Sequence, residues 1–180
     1  MNKVKGLIRK IKIPEGLEVE VERNELHAKS NGEEIKRRFP KVTVEKEEKN
    51  VVIRTKLSTR RERKQINTIV AHINNIFKGL QEKFIYKLQI CAVHFPINVS
   101  LKDNEIIIKN FLGESKERKV KIPEKVEVKI ENDIIAIKSA DKEAAGQVAA
   151  NIEKATQIKD KDRRIFQDGI FMIEKAGKKV

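Results

Sequence analysis

One pattern occurs twice along these 180 residues, at a spacing of about 80. IPEGLEVEVERNELHAK around Pro14 and FPINVSLKDNEIIIK around Pro96 share an apolar residue before proline and then an alternating run. In both, an Asn-Glu pair opens a second alternating run. KVTVEKEEKNVVIRTK from Lys41 is answered by KVEVKIENDIIAIKS from Lys125, and AHINNI from Ala71 by ANIEKA from Ala150. Three matches in one order mark an internal duplication, and that rules out most folds open to a chain of this length. The seam falls near Lys83, so two domains are expected, 1–82 and 83–180. No Gly/Ser-rich linker separates them, which predicts a fixed relation between the halves.

Within each repeat, apolar residues alternate as they do in half-buried strands. Val19 and Val21, Leu26 and Ala28, Val42 and Val44, and Val51 and Ile53 do so in the first. In the second the series is Val99 and Leu101, Ile106 and Ile108, Val120 and Ile122, Val126 to Ile130, and Ile135 and Ile137. Asn24-Glu25 and Asn31-Gly32 supply turn chemistry. One helix follows each set of strands. Ile66, Ile69, Val70, Ile73, Ile76, Phe77 and Leu80 fall on one helical face. Thr59 to Glu62 spell a capping box, and Gly79 is placed to end that helix. The second helix opens near Asp141 and is rich in alanine, which lets it lie close to a sheet. Phe84 to Phe95 reads as the strand that starts the second repeat, and Gly169 to Lys175 as a last strand returning to its sheet. The predicted class is α+β. Two tandem duplicated domains are expected, each an antiparallel sheet covered on one face by one helix, with the other face and the loops left for a partner.

Charge narrows the partner. The net charge is +13 and the pI about 9.8, a balance that attracts polyanions, phosphate backbones above all. With seven Phe, one Tyr and no Trp, stacking on bases is not the dominant mode of contact expected. No stretch of about 18 apolar residues is present, and neither helix has an apolar face to spare for a membrane surface. Met1 to Lys12 is basic without a continuous apolar run, so it does not read as a signal peptide. Cys91 is the single cysteine, which excludes an internal disulfide and fits a reducing compartment. A cytoplasmic chain is the expectation.

Catalytic chemistry has little to stand on. His27, His72 and His94 sit in different segments, with no second ligand at metal spacing, so no metal is expected. No phosphate-binding glycine loop or nucleophile elbow occurs, and no cofactor is implied. Cys91, within LQICAVHF, reads as a buried thiol. The carboxylates alternate with lysines as on a solvated strand face. A non-enzymatic protein is predicted. An enzyme built on an unrecognised carboxylate pair and a protein of the membrane surface are the weaker readings.

The basic residues cluster. Arg60, Arg61, Arg63 and Lys64 crowd the first turn of the first helix, where the macrodipole disfavours cations, so either an external anion or solvent offsets them. The second repeat carries Lys116, Arg118 and Lys119 after NFLGE, then Lys159, Lys161, Arg163 and Arg164 interleaved with acids, then Lys175, Lys178 and Lys179. These last groups point to RNA. Repeat 1–82 carries 20 basic and 12 acidic residues and repeat 83–180 carries 20 and 15, so distribution rather than net charge must place the contact.

AHINNIFKG (71–79), YKLQICAVHFPINV (86–99), IIIKNFLGE (106–114), DKEAAGQVAANIE (141–153) and DRRIFQDGIF (162–171) together resemble the large-subunit ribosomal protein L-six family. The FQDGI ending is similar to its archaeal and eukaryotic branch, where the protein is called L-nine in eukaryotes. The resemblance implies two repeated domains and a place near the stalk base, beside the sarcin–ricin stem of large-subunit rRNA. It implies neighbouring large-subunit proteins and translational GTPases nearby, and a single copy rather than a homo-oligomer. It also implies that the second domain makes most of the rRNA contact. Carried over by position, that selects Lys109, Lys116, Arg118, Lys119, Lys159, Lys161, Arg163, Arg164, Lys175, Lys178 and Lys179. Val120 and Gln157 depart from the more basic family pattern. A free-standing RNA-binding or RNA-processing factor reusing the fold is the alternative.

Overall fold

The computed structural model describes residues 6–30, 32–162 and 164–180. Arg163, one of the expected RNA-contacting residues, and Asn31 of the expected Asn31-Gly32 turn lie outside the described residues. The chain divides into two compact units, 1–82 and 83–180.

The first unit runs β1 (Ile8–Lys12), β2 (Glu18–Glu22), β3 (Glu25–Ser30), β4 (Glu33–Arg38), β5 (Thr43–Glu47), β6 (Asn50–Arg54) and α1 (Arg60–Gln81). Its described strands form two three-stranded antiparallel sheets, ordered β1-β6-β5 and β2-β3-β4. β1 and β4 go beyond what alternation predicts. β4 spells EEIKRR, whose one apolar residue, Ile35, is buried, and charge along the rest suits the sheet edge it occupies. Val51, Val52 and Ile53 of the central strand β6 are all fully buried, so both of its faces are covered.

α1 starts as its sequence predicts. Thr59 Oγ1 accepts from the Glu62 amide at 3.4 Å, and the Glu62 carboxylate accepts from the Thr59 amide at 3.2 Å. Its end differs. Gly79 does not stop the helix but is buried within its packed face, and the helix continues to Gln81 because Leu80 still has a buried place to fill.

The second unit repeats this plan. It runs β7 (Phe84–Cys91), β8 (Asn98–Lys102), β9 (Glu105–Lys109), β10 (Arg118–Lys121), β11 (Glu127–Glu131), β12 (Ile134–Ser139), α2 (Lys142–Ala155), β13 (Gly169–Lys175) and β14 (Lys178–Lys179). β8, β9 and β10 form a sheet ordered like β2, β3 and β4, and β11-β12-β7 mirrors β5-β6-β1. The turns agree as well. Arg23-Asn24 and Asp103-Asn104 are both left-handed pairs joining two-residue hairpins, and the Asn24 and Asn104 carbonyls accept from the amides of Phe39 and Ile122, each just past the end of the third strand of its sheet. The fold is thus α+β and duplicated, with each unit's strands shared between two sheets rather than one.

β13 and β14 extend the second sheet beyond β7, giving the order β11-β12-β7-β13-β14. Tyr86, Leu88, Ile135, Ile137 and Ile170 form its buried layer, and α2 packs on it through Ala145, Val148, Ala149 and Ile152. A Cβ on Gly146 would stand 3.2 Å from the Tyr86 hydroxyl, which shows how closely small residues let the helix approach. Asp141 caps α2 by accepting from the Glu143 amide.

Candidate nucleic-acid interface

The NFLGE segment is pinned before it can serve as a contact loop. Phe111 is buried, and the Asn110 side-chain amide donates to the Pro96 carbonyl at 3.0 Å. Asn110, Leu112 and Gly113 all have left-handed backbones, so 111–113 is a kinked, tight turn rather than a regular helical one. Glu114 then leaves the turn and meets Arg118.

Arg118 is the junction of this region. Its Nε and Nη2 donate to both oxygens of Glu114 at 3.0 and 2.6 Å, and its Nη1 donates to the Ala155 carbonyl at the end of α2 at 2.5 Å. The guanidinium also lies 4.3 Å from the centre of the Phe111 ring. It therefore ties the loop, β10 and the negative end of the helix dipole together. The Arg118 hydrogen bonds hold the Glu114 carboxyl below its ordinary pKa, and the charges of Lys161 and Lys116 act in the same direction.

Around this junction lies a groove of about 520 Å³. Of the residues expected to contact RNA, it brings together Arg118, Lys159 and Lys161. Lys154, in the last turn of α2, joins them and was not among those expected, because a lone lysine in ANIEKA looks like any solvated helical charge. Lys116 lies close enough to act on Glu114.

The remaining expected residues are placed differently. Lys119 alternates with Arg118 and buried Val120, so it projects from the opposite face of its sheet. Lys109 pairs with Glu117 at 2.7 Å. Arg164 is held by the Asp162 carboxylate through Nε at 3.1 Å and Nη2 at 2.8 Å, and this pairing lowers the Asp162 pKa and raises that of Arg164. Lys175, Lys178 and Lys179 belong to the β13–β14 hairpin. Gly169 pairs with Cys91 at one end of β7 and Lys175 with Tyr86 near the other, so β13 carries these lysines on the order of 20 Å from its start. They form a separate basic patch.

A second groove, about 780 Å³, adjoins the first and shares Lys154, Gln157 and Ile158 with it. Its wall depends on Asp168, which is 1% exposed. One carboxylate oxygen accepts the Val93 and His94 amides at 2.6 and 2.9 Å, and the other pairs with His94 Nδ1 at 2.5 Å. Burial raises the pKa of this carboxyl, but the His94 amide, the His94 ring and the Val93 amide outweigh it and hold the group below its ordinary value. These bonds turn the chain away from β7, which is why the strand ends at Cys91 and not at Phe95. They also set the His94 ring against Phe166, centre to centre at 5.0 Å. Cys91 is half-buried in the groove lining rather than enclosed in the core, so the thiol is more open than its apolar setting in the sequence predicts.

Among the described residues, no group of three or more His, Cys, Asp or Glu is placed to hold a metal ion, and no helix is long and apolar enough to cross a membrane.

Comparison with known proteins covers this region and the rest of the chain. A family model described as Ribosomal protein L6 matches residues 95–169, a stretch that includes NFLGE, Arg118, α2 and Asp168. The large ribosomal subunit protein uL6 of Methanococcus vannielii is 43% identical over 178 residues, covering 97% of this chain and 98% of the relative. Its counterpart in Methanothrix thermoacetophila is 37% identical over 174 residues, covering 96% and 99%.

Proposed function

This chain belongs to the ribosomal protein L6 family, and from that premise we propose that residues 83–180 are its main rRNA-binding domain. The protein is a structural, non-enzymatic constituent of the large ribosomal subunit. It binds large-subunit rRNA near the sarcin–ricin stem and the stalk base, beside neighbouring subunit proteins, and supports the region where translational GTPases dock in the cytoplasm.

The observation that carries this reading is the groove in which Lys154, Lys159 and Lys161 surround an arginine already locked in place. Exposed lysines neutralise phosphates, while the Arg118 junction fixes the spacing at which phosphates must arrive. Such a surface reads RNA by shape and backbone rather than by base sequence. Binding is driven largely by counterion release and weakens steeply with salt.

Changing Lys159 and Lys161 together to Glu tests the placement. Binding to a large-subunit rRNA fragment containing the sarcin–ricin stem should weaken, and the magnitude of its log–log salt slope should fall by about 1 for each phosphate no longer neutralised. Unchanged affinity and slope would move the site elsewhere. The alternative of a free-standing factor predicts a chain that stays at the top of a sucrose gradient. Coverage of nearly the whole length of both relatives favours the subunit-bound reading, in which the chain co-sediments with large subunits at moderate salt.

A further inference from the structure

The second groove has features that phosphate binding does not need. Its wall is largely apolar, with Cys91, Val93, Phe166 and Phe171 among its lining residues. Val93 is 69% exposed and Phe171 45%, and Phe95, two residues after Val93, and Ile165, next to Phe166, are exposed as well. A patch of this kind on a soluble unit calls for a partner. Aromatic residues make up only 4% of the chain, yet Phe166 and Phe171 both line this groove, with the His94 ring set against Phe166.

The surrounding chemistry chooses between partners. Lys161 Nζ lies 4.6 Å from the centre of the Phe166 ring, and Lys154 lines both this groove and the lysine-rich one beside it. A strand with its phosphates on Lys154, Lys159 and Lys161 would therefore have its next base within reach of the apolar wall. Gln157 and Gln167 stand at the lining with side-chain amides that can meet a base edge, and Glu153 can accept from an amino or imino group. Stacking on an aromatic face serves any base, and a rigid platform loses little freedom on binding. Asp168 supplies that rigidity by holding the 93–94 backbone and the His94 ring together.

We propose that this groove receives one unstacked base of the bound rRNA, stacked on the exposed ring of Phe171. The proposal rests on the rRNA-binding reading above and adds a base contact to a phosphate-dominated interface. A protein side chain from a neighbouring subunit component is the competing occupant, and the lysine rim argues against it.

The test uses the full chain and the rRNA fragment containing the sarcin–ricin stem. Phe171→Ala removes an exposed ring, and its circular dichroism and thermal melt should match the parent. It should weaken binding on the order of ten-fold while leaving the salt slope unchanged, the reverse of the pattern for the lysine pair. A photoreactive benzoylphenylalanine at position 171 should crosslink to a single unpaired nucleotide. Parental affinity for Phe171→Ala with no RNA crosslink overturns the base pocket while leaving the rRNA-binding reading intact. A crosslink to protein instead, in reconstituted subunits, also overturns it. If the parent chain itself fails to bind the fragment, the broader reading fails, and this proposal with it.

Discussion

Two side chains organise the second unit, and neither is free to act as a simple surface charge. Arg118 gives its donors to Glu114 and to the Ala155 carbonyl, and its face to Phe111. Arg118→Lys keeps the charge but loses the planar fork. It should therefore cost about 1–3 kcal/mol in urea unfolding while leaving the salt slope of RNA binding nearly unchanged. Asp168 is held with a depressed pKa, so its contribution to stability is present above its unfolded value of about 3.9 and is lost as pH falls through the lower folded value. Asp168→Asn should lower stability near neutral pH by about 1–3 kcal/mol, and the gap to the parent should close below about pH 4. Urea midpoints of both proteins across that range check it, and a gap that stays constant would mean the charge is not what the bonds recognise.

At the scale of elements, helix α2 and the turn before it set the site. Ala145 and Ala149 are fully buried, and Gly146 nearly touches Tyr86, so the helix lies close on the sheet and its last turn ends beside β10. Ala149→Leu has no space to enter and should destabilise the protein by about 1–3 kcal/mol, seen as a lower urea midpoint. It should also weaken rRNA binding, because lifting the helix displaces Lys154 and the Ala155 carbonyl from the groove. In the first unit, the capping box at Thr59 predicts a loss of about 1 kcal/mol for Thr59→Ala, with no effect on the second unit's RNA binding. The element boundaries that alternation marks are those where a buried residue repeats every second position, as in β9 and β12. β1, spelled IRKIK, and β4 escape it because little of either is buried.

Across the whole molecule, the duplication, the class of fold and the basic character were legible from the chain itself. Each follows from local periodicity or summed charge, which do not depend on how distant segments meet. The paired turns at Asn24 and Asn104 and the matching strand orders come from residues the two repeats share. The grouping of the basic residues was not legible in the same way. Lysines look alike along a sequence, and although Lys159 and Lys161 already cluster there, only packing decided that Lys154 and Arg118 share their groove and that Arg118 is turned inward. The apolar groove was hidden for the same reason. Cys91 and Val93 are separated from Phe166 and Phe171 by more than 70 residues of chain, and they meet because β13 pairs beside β7 and Asp168 closes the corner. What the parts are follows from neighbouring residues, which set the strands, the helices and the charge. Tertiary structure decided which of those parts form a surface, since that depends on contacts between residues far apart in the chain.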